Sequence, residues 1–414
     1  MKKRLYYSIL ICIYISAPVA AQDSPKIEIG SILALTYRNG ESGNSPLVVN
    51  EGDGSFNNDW VLLLGAEINE SISLFAEIQT VRGLSFVNYG LSAIYQPARM
   101  KYLNFEIGKF LAPIGSFLGR RWASENALIS FPLMYEYTTA LSAFVLPANT
   151  SALLRARGRG GSSSYDPELS TNAEASAQIR YWNVPDFGNG LRIVSREVYL
   201  TGAQLFGAAG SFRYYAGATN GALSNPADVN NTNGLQLHGR AAFSPIVGLD
   251  VGSSAFWGAY LDKSTINSIL EPLGKNAEDF RQTVLGVDLN YSRGHLQFFS
   301  EIIFNRWESP VSEDHLDARA LYLEGKYTCL TRFFVAGRFS LIDFSNVDDA
   351  EDVDADTKLS ESWEFDIHQW EVGVGFRINR NALIKIAGQF NRTHDVATGD
   401  PADDLFALQT VVFF

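Results

Sequence analysis

The chain has 414 residues, with 33 Lys and Arg against 45 Asp and Glu, a formal net charge of −12, and 46% hydrophobic residues. So acidic a balance argues against a nucleic-acid partner and against a basic membrane-surface role. Beyond residue 21 there is no apolar run of about 18 residues, which excludes a helical membrane protein.

Lys2, Lys3 and Arg4 form a basic start, residues 5–17 a short apolar run, and Val19, Ala20 and Ala21 a small-residue processing site. The apolar run falls short of the roughly 20 residues a spanning helix needs. Residues 1–21 therefore read as a signal peptide cleaved before Gln22, with 22–414 as the exported chain. Ile11, just before Cys12, is not the small residue a lipoprotein signal wants. Loss of Lys2, Lys3 and Arg4 takes the net charge to −15, and Cys329, the one cysteine left, cannot form an intrachain disulfide.

From residue 27 onward, apolar and small or polar residues alternate. Ile27, Ile29, Leu33, Leu35 and Tyr37 are interleaved with Glu28, Gly30, Ala34 and Thr36, and the dyad recurs at Trp60, Leu62, Leu64, Ala66 and Ile68. It returns at Leu235, Leu237, Ala241 and Phe243, at Val372, Val374, Phe376 and Ile378, and finally at Phe406, Leu408, Thr410, Val412 and Phe414. Period-2 segments of about ten residues are the mark of strands with lipid on one face and water on the other. Soluble sandwich strands are shorter, nearer five or six residues.

Tight turns at 69–71, 96–100, 207–210, 244–248, 292–294, 328–331 and 379–381 alternate with connections, mostly longer, at 38–58, 82–85, 111–195, 220–233, 261–280, 308–315, 344–364 and 395–403. This alternation predicts an all-β fold, a transmembrane antiparallel β-barrel of about 16 strands with both chain ends on the short-turn side. A barrel of that size is expected to keep an aqueous lumen instead of a packed core. The aromatic ending resembles an assembly signal of outer-membrane barrels.

Three stretches, FEIGKFLAPIGSF at 105–117, YYAGATNGALSNP at 214–226 leading into GRAAFSPIVGLDVG at 239–252, and WEVGVGFRINRNALIKIAGQF at 370–390, carry a resemblance to the phosphate-selective-porin-like family of Gram-negative outer-membrane porins. The resemblance implies a homotrimer in the outer membrane whose third outer loop, here the 111–195 segment, folds inward to narrow the channel. Two features depart from the family. The segment holds a dyad stretch of its own at 173–182, and a Lys/Arg phosphate ladder cannot be transferred residue by residue.

On these registers Arg213, Arg240, Lys326, Arg338, Arg377 and Lys385 face the lumen together with Glu28, Glu67, Glu77, Asp288, Glu301, Glu324 and Glu371. They either set up a transverse field across the channel or pair across strands to stabilise its wall. All eight basic residues between 111 and 196 are arginine, the side chain that grips oxyanions with a rigid fork. Arg120 and Arg121 beside Lys109 are expected at the constriction. With a Debye length of about 8 Å hiding remote loop charge, they predict weak anion selectivity unless Glu125 pairs with Arg121. The run 155–161, which interleaves Arg155, Arg157 and Arg159 with Ala156, Gly158 and Gly160, suits a backbone nest for an anion, or a solvated loop.

Asp352, Asp354 and Asp356 alternate as calcium ligands can, but Thr357 replaces the turn glycine and Trp363 the twelfth-position glutamate. A solvated loop bridged to lipopolysaccharide by divalent ions fits better, and no metal site or cofactor is assigned. Five histidines, His238, His295, His315, His368 and His394, show neither metal-ligand spacing nor a serine elbow, so no enzyme is predicted. The reading is a porin passing small polar or anionic solutes, in contact with outer-membrane lipid and lipopolysaccharide. The alternative is a surface adhesin or receptor barrel with incidental transport.

Overall fold

A computed structural model describes residues 25–40, 54–81, 85–97, 100–147, 149–158, 160, 190–196, 198–348, 360–396 and 399–414. The expected signal peptide, the 173–182 dyad, Arg159 and the Asp352, Asp354 and Asp356 cluster lie outside them.

In chain order the strands are β1 (Lys26–Gly40), β2 (Ser55–Asn69), β3 (Ile72–Val81), β4 (Ser85–Tyr95), β5 (Asn104–Leu111), β6 (Tyr199–Ala209), β7 (Phe212–Asn220), β8 (Leu235–Ile246), β9 (Leu249–Ala259), β10 (Arg281–Arg293), β11 (Leu296–Trp307), β12 (Leu316–Leu330), β13 (Phe333–Phe344), β14 (Asn346–Asp348), β15 (Ser360–Ser362), β16 (Ile367–Asn379), β17 (Ala382–Thr393) and β18 (Leu405–Phe413). All but β14 and β15 form one closed antiparallel barrel, in which each strand pairs with its neighbour in sequence, β13 with β16, and β18 with β1. The barrel is thus 16-stranded, and β14 and β15 make a small hairpin on the loop side.

The turns fall where alternation breaks. Gly210 and Gly294 take the left-handed backbone that such tight connections need, at φ of 61° and 60°. At the seam Ser31 and Phe414 exchange two backbone hydrogen bonds of 3.1 Å, closing the ring without a free edge.

The outer surface is greasy. Ile29, Leu35, Ile107, Leu237, Val372 and Phe406 are exposed at outward positions. Aromatic residues flank this belt at both levels, with Phe56, Phe86 and Trp370 toward the loops and Tyr95, Tyr102 and Tyr327 toward the turns. Such a surface is stable only against lipid, and ring side chains suit the bilayer interfaces.

The interior departs from the expected open lumen. The connection after β5 turns inward and carries helices α1 (Leu133–Glu136) and α2 (Thr150–Arg155). Its Ile114, Phe117, Leu133, Tyr135 and Leu153 form one apolar core with wall residues Phe256, Val284, Ile303, Trp307 and Tyr322. A second cluster sets Ala127 and Leu128 against Ile32, Val61, Leu383 and Val411. Sixteen strands enclose more volume than wall side chains can fill, and here a loop fills it.

Candidate pore and constriction

The wall residues expected to face inward do so, but most do not meet open water. At mid-height Glu77, Asp288, Glu301, Glu324, Arg338, Glu371 and Lys385 are each at most 2% exposed. Nearer the turn side Glu28, Glu67 and Arg213 are exposed, and Lys326 and Arg377 half-buried. Arg213 pairs with Asp250. Lys326 lies 4.7 Å from the Phe334 ring centroid.

The inward loop is pinned by these buried charges. Arg120 reaches Glu324 with both ends of its fork, at 2.6 and 3.1 Å, and stacks 3.8 Å over Phe299. Arg338 donates to the other side of Glu324 at 2.8 Å, to Glu371 at 3.3 Å, to the Ser130 carbonyl at 2.9 Å and to Asn126 Oδ1 at 3.1 Å. Glu371 accepts the backbone N–H groups of Ile129 and Ser130 at 3.0 and 3.1 Å, along with the Ser130 hydroxyl. Lys385 spends its three donors on the carbonyls of Ala123, Asn126 and Leu128 at 2.9, 3.0 and 2.8 Å. Loop backbone and wall side chains therefore answer most of each other's polar groups, as burial of so much charge demands.

Farther round, Arg240 forks onto Asp288 at 2.6 and 2.9 Å, and Glu301 accepts from the Tyr135 hydroxyl at 2.6 Å. Gly115, at φ of 57°, presses on Glu301 so closely that any Cβ would overlap the carboxylate. At mid-height Arg121, Arg240 and Arg338 are thus in buried pairs with Glu77, Asp288, Glu324 and Glu371, whereas the charges nearer the turns stay partly open.

The five described members of the expected anion set, Lys109, Arg120, Arg121, Arg155 and Arg157, do not form one cluster. Arg121 lies against Glu77 at 2.9 Å and Tyr199, with Glu125 playing no part in that pair. Since Arg120 and Arg121 both sit on wall carboxylates, the premise of two uncompensated arginines fails. Lys109 shares the outward parity of Phe105 and Ile107, and its ammonium is 2.8 Å from Asp228, on the far side of the wall from Arg121. Arg155 ends α2, and Arg157 reaches out to Glu361 at 2.6 Å and the Ser362 carbonyl at 2.9 Å. The glycine-rich run after α2 does hold an anion, but an internal one. Gly158 N–H donates to Glu364 at 2.6 Å, and Ala140 N–H to the same carboxylate at 2.7 Å.

Among the histidines, His238 is inward and packed between Phe110 and Phe256, His295 lies in the turn after β10, and His368 and His394 meet on the outer face with ring nitrogens 3.2 Å apart.

No protein-family model and no curated sequence matches the chain. Solved structures do. The outer-membrane protein OmpT of Vibrio cholerae superposes with a TM-score of 0.54 at 9% identity, over 96% of this chain and 100% of that one. The anion-selective porin from Comamonas acidovorans gives 0.54 at 9%, over 94% and 99%, and the outer-membrane channel DcaP of Acinetobacter baumannii 0.54 at 8%, over 94% and 97%. The architecture is that of outer-membrane porins. At such identities the likeness is one of fold, and what the barrel passes has to be argued from its own wall.

Sequence reasoning missed Tyr135, Tyr199, Ser130, Asn126 and Glu364. None carries a local signal, because each works through a partner remote in sequence. A row of uncharged polar side chains was legible and passed over: Gln389, Asn391 and Thr393 hold alternate positions on β17, and the register sets Gln389 and Asn391 opposite Glu371 and Gln369.

Proposed function

We propose that this chain is an outer-membrane channel for small polar solutes, exported by a signal peptide at 1–21 and assembled as a trimer. The observation that carries the reading is the pairing of a lipid-compatible exterior with a polar inner wall in a closed 16-strand ring, narrowed at mid-height by an inward loop. Lys109, Arg120, Arg121, Arg155 and Arg157 all have partners within the fold, so they lend no support to an anion preference. Arg120, Arg121 and Arg157 brace the inward loop instead.

Planar-bilayer recording tests the reading. Purified protein is expected to give stable current steps, small for a 16-strand ring because the constriction is packed. Barrels that insert and never conduct would favour the adhesin or receptor alternative. Unboiled gels are expected to show a heat-modifiable species at about three times the monomer mass, and a monomer at every concentration in mild detergent would remove the trimer. Mass spectrometry of the protein from outer membranes is expected to find Gln22 first.

A further inference from the structure

We infer that Lys326 and Arg377 form a binding site for small organic anions with an apolar body, carboxylates of the benzoate kind, in the turn-side half of the lumen. The inference rests on the channel reading above and names a solute class for it.

On this half of the ring the inward-facing side chains reach water. Glu28 and Glu67 are exposed, Lys326, Arg377 and Phe413 are half-buried, and Glu125 on the inward loop is exposed. Most wall cations already have an acid: Lys26 is on Glu28 and Arg213 on Asp250, and higher up Arg240 is on Asp288 and Arg338 on Glu371. The side chains of Lys326 and Arg377 make neither an ion pair nor a hydrogen bond among the described residues. What they have instead is aromatic. The Lys326 ammonium lies 4.7 Å from the Phe334 ring centroid and the Arg377 guanidinium 5.8 Å from that of Phe413. A ring face attracts a cation without neutralising it, so the N–H donors of both stay available to the lumen. Phe334 is seated by Gly375, opposite it in register, where a Cβ would stand 2.1 Å from the ring.

The two cations also act together. Of the charges around Lys326, Arg377 acts most strongly, ahead of Glu125, Glu324 and Arg120. Arg120 and Glu324 are bound to each other, which leaves two positive charges against the single Glu125. Glu28, on β1, is three strands from Arg377 and Glu67 one strand farther, so the nearer is roughly 14 Å away round the ring, beyond a Debye length of about 8 Å. Beside the cations lies an apolar patch. Phe413, Leu63, Trp122 and Ala123 are half-buried and pack on one cluster. An inorganic anion would answer the cations and leave that patch wet, whereas a carboxylate on an apolar body answers the cations and covers the patch.

The test is a calorimetric titration of the folded barrel with sodium benzoate, paired with the bilayer current under the same additions. Native protein is expected to bind benzoate saturably and to lose current over the same concentrations. Lys326→Gln/Arg377→Gln is expected to raise the half-saturating concentration about tenfold and to move the K⁺/Cl⁻ reversal potential toward cations. Glu125→Gln, a change at an exposed side chain, is expected to tighten benzoate binding about threefold. Heat-modifiable migration reports folding of the variants. Native protein that does not bind benzoate, a folded double variant that binds it as the native chain does, or sulfate or benzylammonium binding as tightly as benzoate would each overturn the site. Benzoate binding without any current in the native protein would overturn the channel reading and leave the site standing.

Discussion

A single ammonium holds the 123–128 stretch of the inward loop. Lys385 answers three carbonyls between Ala123 and Leu128, so Lys385→Met would leave three buried acceptors unanswered, at about 1–3 kcal/mol each. The segment is expected to lift from the wall, and single-channel recording should show larger and noisier steps than the native protein. Identical steps would mean that the apolar cluster around Leu128 fixes the segment unaided. Arg121→Ala acts differently, because it strands Glu77 in a dry wall and should cost roughly 3–5 kcal/mol of stability in a urea titration of the folded barrel. A loss below 1 kcal/mol would show that water reaches Glu77. By the same logic, Arg120→Glu/Arg121→Glu would press like charges on Glu324 and Glu77. It is expected to destabilise the loop before it retunes ion preference.

Glu364 gives the loops a pH dependence. Burial pushes its carboxyl up to about 7, against the pull of the Phe365, Gly158 and Ala140 N–H groups and the Tyr137 hydroxyl. A folded value above the ordinary 4.5 means that protonation favours the folded arrangement. That stabilisation is complete below about 4.5 and lost as the pH rises through about 7, on the order of 3 kcal/mol by linkage. Hydrogen exchange at Ala140 and Gly158 should therefore quicken between these limits more than base catalysis alone explains, and Glu364→Gln should abolish the excess. An excess that survives the substitution would assign it to another group.

Among the elements, what alternates was legible and what packs was not. All seven tight turns and all eight larger connections lie within a few residues of their predicted places, since a strand's period of two and its break are local properties. The same parity places Lys109 with Ile107 on the outer face, a reading available from the sequence. The partners of Arg120 and Arg157 were beyond it, each lying more than 200 positions away. Loop identity could be counted, but its depth and fit could not. A peptide tag inserted at 312–314, in exposed loop-side backbone, should be reached by antibody on intact cells, and one at 379–381 only after permeabilisation. The reverse labelling would invert the barrel.

For the whole molecule, the inward loop makes one body of wall and lumen. Excising residues 122–131 would remove Leu128, Ser130 and their contacts with β1, β13, β16 and β17 while leaving every strand pair in place. Bilayer conductance is expected to rise severalfold with heat-modifiable migration retained, because ladder hydrogen bonds and lipid contacts hold the ring. Collapse of the barrel would instead make the loop part of its scaffold. The seam carries a consequence of another kind. Ile32 pairs with Phe413 and Leu33 with Val412, so two stretches made at opposite ends of synthesis are immediate neighbours. Until β18 has emerged, β1 has one flank unsatisfied, and so does β17, each a template for pairing with another chain. The order of events is therefore imposed by geometry. The chain must be kept apart from its copies for the whole of its translation and transit, and the ring then closes late, in a step whose rate reflects contacts spanning nearly the full sequence.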